Sequence, residues 1–89
     1  MKIKEGFVVR KIANQYMAVP IGARAKELHG MIGLNDTASF LWELLKVNRT
    51  EEELAELLYN EYEITEEKAL ETVKNFSALL AKEGVLADE

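Results

Sequence analysis

The hydrophobic pattern of this chain changes period once, at Asn35, and that change leaves few folds open. Up to Leu34 the apolar residues fall in short runs, rich in β-branched side chains and bounded by turn residues. Beyond it they recur at the spacing of a helix face. Phe7 to Ala13 reads as a first strand, Asn14-Gln15 as a tight turn, and Tyr16 to Pro20 as a second strand that Pro20 ends or holds at an edge. A connection from Ile21 to Leu28 leaves room for a helical turn, and His29 to Leu34 reads as a third strand containing Gly30 and Gly33.

Three helices follow. Asn35 or Asp36 caps the first, whose stripe is Ala38, Leu41, Trp42 and Leu45 before Val47-Asn48-Arg49 breaks it. Thr50-Glu51-Glu52-Glu53 is a capping box for the second, with Leu54, Leu57 and Leu58 as its stripe and Tyr62 closing it. Thr65 opens the third, which carries Ala69, Leu70, Val73, Phe76 and Leu80 and a face widened by Leu79. Gly84 suits the residue after a helix C-terminus, and Val85-Leu86 return to the core or form a short terminal strand. Strands followed by helices predict an α+β fold: a three-stranded antiparallel sheet followed by three helices, elements that can also form a winged helix-turn-helix. The 89 residues fit one domain, residues 1–89.

The charge is divided unequally. Residues 1–34 carry six basic and two acidic side chains, net +4, and residues 35–89 carry five basic and fourteen acidic, net −9. An acidic majority disfavours non-specific binding to phosphate backbones. The absence of cysteine removes disulfides, thiolate metal sites and cysteine nucleophiles, and fits a reducing compartment. No apolar run approaches the roughly 18 residues of a membrane span, and the start of the chain does not read as a secretory signal. The expected location is the cytoplasm, with no membrane partner.

Chemistry finds little purchase. One histidine, His29, reads as a structural or exposed residue. Glu51-Glu52-Glu53 lacks the spacing of a calcium loop and reads as a charged helix N-terminus. Gly30-Met31-Ile32-Gly33 is neither a phosphate loop nor a dinucleotide fingerprint. The expectation is a protein with no catalytic residue, no metal and no cofactor. A DNA-binding winged helix is the alternative. Its third helix would bring Glu66, Glu67, Glu71 and Glu83 toward the phosphates beside Lys68, Lys74 and Lys82, so nucleic acid is not expected as a partner.

What remains is recognition through a surface. A three-stranded sheet has two edges, and an exposed edge accepts a further strand through its unpaired N–H and C=O groups. Gly30 and Gly33 in the third strand either admit close approach of a peptide or accommodate the helix that follows. Val73, Phe76 and Leu80 either belong wholly to the core or line part of a groove beside that strand. A second copy is another candidate for an edge, which would make a homodimer.

The run from Gly30 to Leu45, with its Leu34-Asn35-Asp36-Thr37-Ala38 and Leu41-Trp42-Glu43-Leu44-Leu45 segments, resembles PqqD-like proteins. So do Thr50 to Leu54 with Leu57-Leu58 and Tyr62, and Val73, Phe76, Leu79-Leu80 and Gly84-Val85-Leu86. The resemblance spans Phe7 to Leu86. It implies a winged-helix-like fold and a RiPP recognition element, that is, a peptide chaperone. Such a domain binds the leader of a ribosomally made precursor peptide as a strand added to the third strand, beside the third helix. It then presents the precursor to a maturase, often a radical S-adenosylmethionine enzyme. Carried over by position, the resemblance implies a peptide-binding site of Met31, Ile32, Gly33 and Leu34 with Val73, Phe76 and Leu80, and Lys74 facing a leader acid. Relatives acting in pyrroloquinoline quinone synthesis tend to carry Asp-Gly after the first helix and Asp-Val in the third. Here Val47-Asn48 and Thr72-Val73 stand there, so the broader leader-binding role is the expectation.

Overall fold

The computed structural model describes residues 1–27 and 30–87. Strands β1 (Phe7–Ile12) and β2 (Gln15–Pro20) form a hairpin. A single helical turn, α1 (Arg24–Glu27), then leads toward β3 (Ile32–Leu34). Helices α2 (Asp36–Leu44), α3 (Glu51–Glu61) and α4 (Glu66–Glu83) follow. The sheet is antiparallel in the order β1-β2-β3, so the expected α+β arrangement of a three-stranded sheet followed by helices is the one found.

Two local expectations shift. The hairpin turn is Ala13-Asn14, not Asn14-Gln15, because Ile12 pairs with Gln15 and leaves a two-residue loop. Both loop residues take positive φ, 50° at Ala13 and 67° at Asn14, the backbone of the mirror-image turn whose twist matches that of the strands. The third strand is shorter than expected. Its predicted start, His29, lies outside the described residues, and Gly30 has φ 107°, a conformation outside any extended strand. Pairing begins only at Ile32, opposite Ala18.

The helices start where capping chemistry dictates. The Asn35 side chain accepts from the Ala38 N–H at 2.8 Å. Thr50 and Glu53 complete a reciprocal capping box at 3.1 and 3.0 Å. These bonds hold the Glu53 carboxyl below its usual value. Thr65 caps α4 at 3.0 Å, and Gly84 closes it in the left-handed conformation at φ 72°.

The apolar stripes meet in one core. Leu34 from β3, Ala18 from β2, Leu41, Trp42 and Leu45 from α2 and the loop after it, Leu54 and Leu58 from α3, and Val73, Phe76 and Leu80 from α4 are buried there. Phe7 meets Trp42 edge-on at 5.5 Å, fastening β1 to α2. Phe40 meets Tyr62 in the same way at 5.7 Å, and burial with nearby Asp36 and Glu61 raises the Tyr62 pKa. The chain ends are stitched together: Ile3 bridges Leu86, Lys4 N–H donates to the Val85 carbonyl at 2.9 Å, and Val85 is buried.

Candidate functional site

The direction of every backbone group on β3 follows from the hairpin turn. With a two-residue loop of this type, Ile12 and Gln15 form a hydrogen-bonded pair, and such pairs alternate along the ladder with pairs that exchange no bonds. Arg10 with Met17 and Val8 with Val19 are therefore bonded pairs. The same parity reaches Gly6 and Ile21, whose N–H donates to the Gly6 carbonyl at 2.9 Å. Tyr16 and Ala18 must then direct their N–H and C=O groups away from β1, toward their β3 partners Leu34 and Ile32.

Because the peptide unit is planar, the groups between those partners point the other way. The Met31 carbonyl, the Gly33 N–H and carbonyl, and the Asn35 N–H face the outer side of β3. Among the described residues no strand lies on that side. This stretch carries no charged side chain between Gly30 and Asn35. At its far end a shallow hollow of about 500 Å³ lies between the hairpin tip and the start of α2, lined by Asn14, Gln15, Tyr16, Gly33, Leu34, Asn35 and Asp36.

The side chains alternate as well. Ile32 and Leu34 share the inner face of the sheet with Tyr16 and Ala18, whereas Gly33 shares the outer face with Met17. Leu34, at 1% exposure, is core, and Ile32 packs against the core while half-buried. Met31, 52% exposed, and Gly33 are open to solvent.

The α4 residues named from sequence divide sharply. Val73 and Leu80 are wholly enclosed and Phe76 is 6% exposed, in the same core cluster as Leu34 and Ile32. They offer little surface of their own. Lys74 is exposed, and at about 100° per residue it projects toward the flank on which Ser77 donates to Glu51 of α3 at 2.7 Å. Leu79, 38% exposed, lies on the flank away from α3 and is the apolar side chain that α4 presents there. Gln15 and Met17 escaped the sequence reading, because only the register places them beside Gly33. Among the described residues no cluster of acids and histidine is placed to hold a metal, and no helix is long and apolar enough to cross a membrane.

The family model described as coenzyme PQQ synthesis protein D (PqqD) matches residues 25–86, which include β3 and all three long helices. No curated protein matches. The solved structure of TbiB1 in complex with the TbiA(beta) leader peptide superimposes with a TM-score of 0.71 at 22% identity, over 99% of this chain and 100% of that one. At that identity the likeness establishes a shared fold.

Proposed function

This chain belongs to the PqqD family, and from that premise we propose that it binds the leader of a ribosomally synthesised precursor peptide by strand addition along β3 and presents it to a maturase. The observation that carries this reading is the outward row of the Met31 carbonyl, both backbone groups of Gly33 and the Asn35 N–H, on an uncharged edge. The shared fold with TbiB1, a protein solved with a leader peptide in place, supports the same assignment.

The mechanism is physical rather than covalent. Backbone pairing supplies affinity that tolerates sequence variation, and side chains flanking the added strand supply selectivity. Ile32 is the half-buried contact on the inner face, with Leu79 of α4 as a further apolar surface; Leu34, Val73, Phe76 and Leu80 belong to the core against which Ile32 packs. Capture converts the encounter of precursor and enzyme into a local one, raising the effective concentration of the segment to be modified. The domain acts in the cytoplasm without a cofactor and has no catalysis of its own. A radical S-adenosylmethionine enzyme is the maturase class this role fits.

The test is a titration of isotope-labelled protein with the leader of its cognate precursor peptide, followed by amide NMR. Saturable shifts centred on residues 31–35 and on the flank of α4 around Leu79 are expected. Absence of shifts with that leader overturns the reading, and duplex DNA is then titrated next.

A further inference from the structure

Gly33 is a glycine that the fold itself does not require. Its backbone lies outside the left-handed region that Gly6, Gly22, Gly30 and Gly84 occupy. It sits in a strand, where glycine is disfavoured relative to β-branched residues. A Cβ built there would come within 2.9 Å of the Gln15 Nε2, the far end of an exposed and flexible side chain, and 3.9 Å from the Met17 sulfur. Neither contact forbids a larger residue. The missing side chain therefore leaves a notch on the outer face of the sheet. Gln15 overhangs it and Met17 forms its far wall.

The ladder says what reaches that notch. Gly33 directs both backbone groups to the free edge, so a strand added there forms its bonded pair with Gly33, and paired residues share a face. The peptide residue opposite Gly33 thus places its side chain on the outer face, at the open side of the notch. An aromatic ring on a neighbouring strand is the group that covers a strand glycine best. A methionine sulfur beside the ring edge adds a favourable contact. Given the strand-addition reading on which this rests, we infer that the Gly33 notch is a second selectivity site. It receives an aromatic side chain of the bound peptide, laid across Gly33 toward Met17, on the opposite face of the sheet from Ile32.

The experiment uses the full chain and the same leader peptide. Contacts from the Gly33 amide proton in the NMR spectrum of the complex identify the paired peptide residue. That position is then made Phe, Leu or Ala in turn. Binding to the wild-type domain is expected to be tightest with Phe and at least about tenfold weaker with Ala, the loss that follows from leaving one large side chain uncovered. Gly33→Val fills the notch, and the Phe and Ala peptides should then bind it within about twofold of one another. Met17→Ala, a change confined to the outer face, is expected to narrow the same gap and guards against a misfolded Gly33→Val. Equal affinity of the Phe and Ala peptides for the wild-type domain overturns the notch while leaving strand addition in place. Failure of every peptide to bind overturns both.

Discussion

The two edges of this sheet face the same solvent and are built on opposite principles. On β1 the outward groups belong to Phe7, Val9 and Lys11, by the parity that sends those of Arg10 and Ile12 toward β2. That edge is twice as long as β3, yet it carries Arg10 and Lys11 side by side, and Lys11 lies 5.6 Å over the Tyr16 ring. Lysine and arginine on an edge strand are a standard defence against unwanted pairing. The β3 edge is short, uncharged and centred on a glycine. On the proposed reading, the absence of a guard rather than length selects the edge for strand addition.

The largest effect should come from proline placed on either edge. The Gly33 N–H serves only the outer side of β3, so Gly33→Pro leaves the β2–β3 ladder intact and removes the donor an added strand needs. Leader affinity should fall about a hundredfold, since an unmet partner group in the peptide costs about 1–3 kcal/mol and the ring obstructs its neighbours. Lys11→Pro makes the same change on the other edge and should leave affinity within about twofold. Calorimetric titration of both variants decides the matter; a loss confined to Lys11→Pro would make β1 the docking edge, and equal losses would mean that both serve.

Next in size is the contrast between neighbours on β3. Leu34 is enclosed and Gly33 is open, although they are adjacent in sequence. Leu34→Ala should cost about 2–5 kcal/mol of stability by opening a cavity beneath the edge. Urea unfolding with an unchanged slope would confirm a loss in the folded state. Gly33→Val should cost nothing and raise the midpoint slightly. A smaller effect is expected from disarming β1. With Arg10 and Lys11 both changed to Thr, that edge loses its guard and the domain should self-associate reversibly at high concentration, seen as a rising weight-average mass in sedimentation.

Much of this was legible in the sequence, and the unread part has one cause. The change of period at Asn35, the Thr50 and Thr65 caps and the Gly84 stop placed the long helices to within a residue or two. The hydrophobic stripe of α4 named the core residues Val73, Phe76 and Leu80. Stripe arithmetic does not say whether such a residue lines a groove or fills the interior, because both need an apolar side chain on the same face. The edge was harder still. Asn14-Gln15 is a good turn by composition, but a turn one residue further on would aim Tyr16 and Ala18 at β1 and reverse every outward group on β3. A one-residue slip moves nothing in a composition and everything in a ladder.

That sensitivity makes the turn itself the last place to probe the comparison. Ala13 takes φ 50°, which costs an L-residue with a Cβ about 1 kcal/mol or somewhat more. Asn14 tolerates its own φ of 67° through its short polar side chain. Ala13→Gly removes the strain but loosens the unfolded chain by about 0.4–1 kcal/mol, so its net gain should be a few tenths. Ala13→Asn keeps a side chain and accepts the left-handed backbone, and should stabilise by up to about 1 kcal/mol, visible as a rise of several degrees in thermal midpoint. Neither change touches β3, so leader affinity should stay put while the hairpin gains. A loss of affinity in Ala13→Asn would show that the register of β1 against β2 is soft, and that the turn selects which groups β3 offers.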